Sequence, residues 1–277
     1  MSPASQLRRE LGKVYSTCNT WGESFLDLVF PPVCQLCGLN RAGKPLGYVC
    51  SPCRKGVRFL EPPFCRKCGL PYPGAMENPT ECSNCAQEVH FFEWARASVV
   101  ISDVVLETIH RYKYSRHVYF EPFLGELFVS KSKHVLLPSE WDCILPVPLH
   151  PVRLREREFN QAERLGRYLS RATTIPLNTH SLRRVEPTRT QTTLTREERR
   201  VNVSRAFQVV DVQSVTGKRI LVIDDVMTTG ATTNACAKAL KRSGASKLAV
   251  WTLARGLVGA SAPALPVQNP PSTHNFR

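Results

Sequence analysis

The stretch VIDDVMTTGAT, residues 222–232, places two carboxylates and three threonines around one glycine. It continues RILVI (219–223), an unbroken apolar run typical of a central strand in a parallel sheet. A helical pattern over residues 231–243 ends at Gly244, and KLAVWTL (247–253) predicts a returning strand. These segments predict a βαβ unit with a right-handed crossover. Ligands of such sheets bind at the carboxyl ends of the strands, where the quoted stretch lies.

The residues after this strand are predicted to bind an anion. They stand at the start of a helix, where four backbone N–H groups lack intrahelical acceptors and the helix dipole favours negative charge. Glycine lets the backbone approach a ligand closely, and threonine hydroxyls can donate to the remaining oxygens. The candidate phosphate-binding residues are Thr228, Thr229, Gly230, Ala231 and Thr232.

Asp224 and Asp225 would repel a phosphate at contact distance. They are better suited to vicinal hydroxyls, to a metal or to developing positive charge. A phosphate beside a diol is the pattern of a ribose 5-phosphate. The simpler alternative, a strand-end Asp and a Thr N-cap on an ordinary crossover helix, accounts for only one Asp and one Thr.

Composition describes a basic protein of 277 residues with a formal charge of +14 and a pI near 9.5. Residues 150–205 hold 13 Arg against six acids, which favours a phosphate ligand or a nucleic-acid backbone, although a solvated basic face is an equal alternative. No run approaches the roughly 20 apolar residues that span a bilayer. The N-terminus lacks the apolar core and cleavage site of a secretory signal, so we expect a cytoplasmic protein.

Eight of the eleven cysteines form four CxxC pairs separated by 12, 11 and 13 residues. A disulfide framework of this density is improbable in a reducing cytoplasm, whereas two CxxC knuckles complete a tetrahedral zinc site. Residues 31–90 hold few aliphatic side chains, so metal would have to supply folding free energy. The predicted ligands of two structural zinc ions are Cys34, Cys37, Cys50, Cys53, Cys65, Cys68, Cys82 and Cys85.

The sequence leaves the pairing of these knuckles open. Sequential pairing gives two consecutive ribbons, and interleaved pairing gives a cross-braced module; shorter loop closure favours the first only weakly. A redox reading would need one CxxC pair beside a βαβ unit, which four pairs in a row argue against. Cys18, Cys143 and Cys236 are interpreted as ordinary thiols.

From about residue 95 the sequence alternates strand and helix patterns, as in an α/β domain. Asn160 is a candidate N-cap, and residues 183–204 form a polar stretch with no apolar periodicity. The pattern predicts strands over 95–101 and 142–148, and helices over 103–114, 118–132 and 160–172.

VIDDVMTTGAT resembles the phosphoribosyl-diphosphate motif of type I phosphoribosyltransferases. The CxxC pairs, RYKY (111–114), LPVPLHPVRLREREFNQAERLG (145–166), TRTQTTLTREERRVNVSRAF (188–207) and WTLAR (251–255) together resemble the ComF family. That family joins zinc ribbons to a phosphoribosyltransferase-like domain and is linked to competence and DNA uptake. The resemblance covers roughly residues 25–255.

The resemblance implies roles for particular residues. Asp224 and Asp225 would bind the ribose 2- and 3-hydroxyls as the catalytic pair, and the Thr-Gly loop would hold the 5-phosphate. Residues 183–204 correspond to the mobile hood of type I transferases, which can close over a ligand. Magnesium would accompany phosphoribosyl diphosphate. The candidate contacts to pyrophosphate or nucleic acid are Lys113, Arg153, Arg157, Arg199 and Arg200.

One position departs from the family pattern. Family members usually show glycine where Glu158 stands in REREFNQ (155–161). Glycine there would allow an unusual backbone angle or a close approach to pyrophosphate. A carboxylate is expected to do neither.

The expected fold is therefore an α/β, parallel-sheet type I phosphoribosyltransferase-like domain preceded by a cysteine-rich double zinc ribbon. The parts are a flexible N-terminus (1–24), the ribbon (25–92), the transferase-like domain (93–255) and a disordered tail (256–277). Two functions stay open: an enzyme acting on phosphoribosyl diphosphate, or a non-catalytic protein that holds single-stranded DNA beside DNA-uptake proteins.

Overall fold

A computed structural model of the protein describes residues 32–74, 80–186 and 206–257. Within these ranges, no helix combines the length and the apolar composition that crossing a membrane requires. The predicted N-terminal segment 1–24 and most of the predicted tail, 256–277, fall outside them, as do Arg199 and Arg200.

A five-stranded sheet in the order β1-β2-β7-β6-β3 forms the centre of the molecule. The pairs β2–β7, β7–β6 and β6–β3 are parallel, and only the edge strand β1 is antiparallel to its neighbour. A separate antiparallel pair joins β4 to β5. The strands are β1 (Arg58–Phe59), β2 (Ala95–Val100), β3 (Cys143–Pro146), β4 (Leu182–Arg184), β5 (Phe207–Val209), β6 (Arg219–Met227) and β7 (Lys247–Arg255).

The described residues also form eight α-helices, some of which cover the two faces of this sheet. They are α1 (Ser51–Arg54), α2 (Ser83–Gln87), α3 (Asp103–Tyr114), α4 (Glu121–Val129), α5 (Ser132–Val135), α6 (Pro151–Arg157), α7 (Gln161–Thr173) and α8 (Ala231–Arg242). Short 3₁₀ turns lie at Lys44–Leu46, Val118–Phe120 and Pro138–Glu140.

Alternation along β6 divides the core in two because successive side chains of a strand point to opposite faces. Ile220 and Val222 pack on the face covered by α8, and Leu221 and Ile223 pack on the face covered by α3, α4 and α7. All four side chains are 0 % exposed. The continuous apolar run therefore reflects a strand that is buried on both sides.

The predicted α/β fold is confirmed, and the helix over 103–114 has the predicted bounds. The helix predicted over 118–132 is instead a 3₁₀ turn followed by α4 and α5. The strand predicted over 219–223 extends to Met227, because its ladder with β7 continues past Asp224 to the pair Met227↔Arg255. The two acids are thus the last part of a paired strand and not the start of a loop.

The expectation that Glu158 would not adopt the backbone angle of a glycine is wrong. It follows α6 as the C-cap residue with φ 68°, the left-handed conformation that favours glycine. Its amide donates to Leu154 O at 2.7 Å, and its carboxylate lies 2.6 Å from Arg116 Nη1. The chain therefore keeps the glycine-like backbone angle with a carboxylate in place, since the helix end demands that angle.

We predict that Glu158→Gly stabilises the fold by about 1 kcal/mol, because a left-handed non-glycine residue costs roughly 1–2 kcal/mol and an exposed ion pair returns little. Urea unfolding measures the change. Glu156→Gly, two residues earlier inside α6, is the control and should destabilise by about 1 kcal/mol. Equal destabilisation by both substitutions would contradict the strain at Glu158.

Candidate functional site

The end of β6 brings the two predicted carboxylates against α3. Asp225 is 8 % exposed, and its Oδ2 lies 2.5 Å from Lys113 Nζ. The helix over 103–114 carries Lys113 in its last turn, which directs the ammonium toward the strand end. Lys113, predicted as a contact to pyrophosphate or nucleic acid, is thus the ion-pair partner of Asp225 in this structure.

Asp224 is the electrostatically unfavourable member of the pair. Burial raises the pKa of its carboxyl to about 7, and the neighbouring charge of Asp225 acts in the same direction. Its Oδ1 accepts a hydrogen bond of 2.9 Å from the Asp225 amide. A carboxylate held this way is poised to gain a hydroxyl donor or a cation, and perturbed acids of this kind cluster at functional sites.

The predicted anion loop follows directly. Gly230 has φ 82° and caps α8 without a side-chain hydrogen bond. Among the described residues, none accepts a hydrogen bond from the amides of Thr228, Thr229 or Thr232. The Ala231 amide makes only a long contact of 3.4 Å to Thr229 Oγ1. The loop therefore presents backbone donors at a helix N-terminus, beside the acids, as an anion site requires.

Arg255 is the site residue that sequence reasoning did not single out. It ends β7, is 2 % exposed, and donates from Nη1 to the carbonyls of Met227, Thr228 and Gly256. Arginine is almost never fully buried unless it is paired. An arginine that closes a nine-residue buried strand is the sequence signal that could have found it.

Arg153 and Arg157, the other predicted arginines within the described residues, both lie on α6. Arg157 stacks over the Tyr114 ring at 5.0 Å and donates to Gln161 Oε1 at 3.1 Å. Arg153 pairs with Glu156 at 3.2 Å on the exposed side of α6. Arg199 and Arg200, with the stretch predicted as a hood, lie outside the described residues apart from the flank that forms β4.

The eight paired cysteines form two tetrads in the sequential arrangement, so the interleaved alternative is wrong. Within each tetrad, the four sulfurs lie within 4.8 Å of one another. The first tetrad is Cys34, Cys37, Cys50 and Cys53, and the second is Cys65, Cys68, Cys82 and Cys85.

The sulfur spacings fit zinc. Cys34 and Cys53 are 3.8 Å apart, and Cys68 and Cys82 are 3.7 Å apart, measured between Sγ atoms. Four sulfurs at ~2.3 Å from one zinc ion lie about 3.8 Å from one another in a tetrahedron. A disulfide would need a spacing of ~2.05 Å. The donor set and its geometry therefore suit one structural zinc ion per tetrad.

Backbone amides already point at these sulfurs. The Cys50 amide donates to Cys34 Sγ at 3.4 Å, and the Cys82 amide donates to Cys65 Sγ at 3.3 Å. The Asn40 and Leu39 amides lower the pKa of Cys37 to about 6. Such donors stabilise the thiolate form that binds metal.

The two tetrads occupy different environments. The second packs within the main core beside α8, and the first forms a small cluster with Ala42. The Cys65–Cys68 knuckle of the second tetrad is also bonded to the sheet, since Arg255 Nε donates to Cys68 O at 3.0 Å and the Ala95 amide donates to Lys67 O at 2.7 Å.

Comparisons with known proteins agree with both parts of this arrangement. The double zinc ribbon domain profile matches residues 25–86, and the phosphoribosyl transferase domain profile matches residues 162–269. The chain thus joins an N-terminal double zinc ribbon to a phosphoribosyltransferase-like domain.

Relatives over most of the chain define the family more narrowly. Competence protein F of Haemophilus influenzae is 31% identical over 75% of this chain and 90% of its own length. DNA utilization protein YhgH of Escherichia coli K12 is 32% identical over 83% of this chain and 100% of its own length. Competence protein ComFC of Bacillus subtilis is 26% identical over 76% of this chain and 86% of its own length. The chain belongs to this ComF family.

We predict about two zinc ions per purified chain, one for each cysteine tetrad, measured by inductively coupled plasma mass spectrometry. Cys37→Ser should lower the content to about one, because it removes a ligand of the first tetrad only. Cys143→Ser, at a buried thiol outside both tetrads, is the control and should retain two. A zinc content near zero in protein purified under reducing conditions would contradict the assignment.

The raised pKa of Asp224 predicts that the stability of the fold depends on pH. The pKa of this carboxyl is raised from 3.8 in the unfolded chain to about 7, so the folded state holds the proton more tightly and loses stability as pH rises through that window. Asp224→Asn should therefore raise the free energy of unfolding by about 2 kcal/mol at pH 8 and change it little at pH 4.

Asp225→Asn is the matched comparison because it removes the partner of Lys113 and should destabilise at pH 8. Urea unfolding of both variants at the two pH values measures these changes. An Asp224→Asn variant that is less stable than the wild type at pH 8 would show that burial does not oppose the charge.

Proposed function

We propose that this protein binds phosphoribosyl diphosphate or a related ribose 5-phosphate at the end of β6. The observation that carries the proposal is the adjacency, on one strand end, of two partly buried carboxylates and a loop whose amides at Thr228, Thr229 and Thr232 have no acceptor among the described residues. Asp224 and Asp225 would accept hydrogen bonds from the ribose hydroxyls. The amides and hydroxyls of Thr228–Thr232 would bind the 5-phosphate.

Lys113 reduces the negative charge of the proposed site. Its ion pair with Asp225 neutralises one carboxylate, so the site presents less negative charge to an incoming phosphate than two free acids would. The proposed ligand can then bring a phosphate close to the acids without full like-charge repulsion. Asp224, with its raised pKa, gains most from a hydroxyl donor or a cation.

The proposed reaction is phosphoribosyl transfer. The bond from the anomeric carbon to the diphosphate oxygen breaks, a bond to the acceptor nucleophile forms, and the acceptor loses its proton to solvent or a base. Asp224 and Asp225 would stabilise the positive charge that develops on the ribose. Their oxygens also suit magnesium, which when bound would offset the charge of the leaving diphosphate.

The names of the relatives suggest the cellular process in which the protein takes part. They are described as competence and DNA utilization proteins, so we propose a cytoplasmic role for this chain in handling DNA taken up by the cell. DNA-uptake proteins would be its partners.

A second candidate function is the binding of single-stranded DNA. Tyr114 is 59 % exposed and lies under the Arg157 guanidinium at 5.0 Å, which makes an aromatic and cationic surface beside Lys113. Exposed aromatic rings with neighbouring cations are the usual platform for unpaired bases. The net charge of +14 favours the same ligand.

Titration calorimetry with phosphoribosyl diphosphate and magnesium should show saturable binding. Asp224→Asn combined with Asp225→Asn should weaken it at least ~10-fold, because two hydrogen-bonding carboxylates are lost. Asp211→Asn, in the loop before the amino end of β6, should bind as the wild type does. Equal affinity of the double variant would reject the diol role. Diphosphate release with candidate acceptors then separates an enzyme from a binding protein.

Binding of a single-stranded oligonucleotide, measured by fluorescence anisotropy, should fall steeply between 50 and 200 mM salt if the second candidate holds. Tyr114→Ala should weaken it by about 1–3 kcal/mol through loss of stacking. Arg242→Ala, at the far end of α8, is the control for charge alone. Salt-insensitive or absent binding would remove this function.

A further inference from the structure

Arg255 joins the second cysteine tetrad to the proposed phosphate loop through one buried side chain. On one side, its Nε donates to Cys68 O at 3.0 Å and its Nη2 contacts Cys68 Sγ at 3.5 Å. On the other side, its Nη1 donates to the carbonyls of Met227 and Thr228. The guanidinium is planar and fixes these acceptors relative to one another.

These contacts determine where the loop amides point. In a trans peptide the C=O and the following N–H point in opposite directions. Because the Met227 and Thr228 carbonyls turn inward to Arg255, the amides of Thr228 and Thr229 turn away from it. They are the same amides that have no described acceptor. Arg255 therefore orients the first donors of the anion loop, together with the Gly256 amide, which also donates to Met227 O at 2.9 Å.

The second tetrad contacts the Arg255 guanidinium through a sulfur as well as a carbonyl. Four thiolates that hold one divalent zinc ion would carry a formal charge of −2, and Cys68 would place part of that charge beside the guanidinium. Without metal, no ion holds the four sulfurs around a common centre beside the guanidinium. Arg255 would then keep its carbonyl acceptors but lose a fixed partner at Cys68 Sγ.

We propose that Arg255 is a positioning residue through which zinc in the second tetrad favours the ligand-binding form of the phosphate loop. The inference rests on the proposed ribose-phosphate site. By reciprocity, ligand in the loop must raise the zinc affinity of the second tetrad by the factor by which zinc raises ligand affinity. The first tetrad, which has no contact with Arg255 among the described residues, should not respond.

The test uses the full-length, zinc-loaded protein and ribose 5-phosphate, which needs no magnesium in the buffer. Calorimetry first establishes binding. Zinc is then competed by a chelator at equilibrium, with and without saturating ligand, and alkylation by N-ethylmaleimide is mapped onto each cysteine by peptide mass spectrometry. Ligand should raise the apparent zinc affinity at Cys65, Cys68, Cys82 and Cys85 at least ~5-fold, the lower end of usual coupling.

Two variants separate positioning from simple loss of structure. Arg255→Lys keeps a positive charge but cannot reach both sets of acceptors, so the coupling should fall below about 2-fold. Arg96→Lys is the matched control, because Arg96 Nη1 binds the same knuckle at Arg66 O, at 3.0 Å, and makes no contact with the phosphate loop. It should retain the wild-type coupling.

The outcomes are distinct. Ligand that binds but protects both tetrads equally, or neither, overturns the coupling and leaves the proposed function standing. Full coupling in Arg255→Lys also overturns it, since the linkage would then run through another contact. No binding of ribose 5-phosphate or of phosphoribosyl diphosphate rejects the proposed function and the coupling together. Should Arg255→Lys not fold, protection confined to the second tetrad of the wild type supports the proposal.

Discussion

The need to satisfy one buried guanidinium constrains three parts of this protein at once. Arg255 is 2 % exposed at the end of β7, and a charge in such a place is tolerated only when its donors find acceptors. The acceptors come from the strand end at Met227, from the loop at Thr228 and from the knuckle at Cys68. Sheet, loop and ribbon therefore meet in a single hydrogen-bonded arrangement.

The two acids of the proposed site lie in opposite electrostatic situations. Burial and a neighbouring charge oppose the ionisation of Asp224, while Lys113 offsets the charge of Asp225. Glu158 likewise holds a backbone angle that glycine would adopt without strain. Departures of this kind from local rules are typical of functional sites, so they support the site proposed at the end of β6.

The ribbons are integral to the fold. The segment between the two tetrads contributes Arg58–Phe59 as the antiparallel edge of the main sheet, and Arg111 of α3 donates to Gln35 O within the first knuckle. The second tetrad places its four cysteines in the core beside α8. Since residues 31–90 hold few aliphatic side chains, the metal-binding knuckles replace the core that this segment lacks.

The sequence alone determined the parallel α/β class, the helix over 103–114, the Asn160 N-cap and the ligand types of both tetrads. Each follows from periodicity or from short-range chemistry that neighbouring residues specify. Tertiary structure decided what depends on distant partners. The ladder with β7 extended β6 through the acids, and α3 brought Lys113 to Asp225. The positions of the sulfurs showed that the cysteines pair sequentially, and the buried contacts of Arg255 placed it beside the proposed loop. Such contacts join residues far apart in the chain, and no local pattern encodes them.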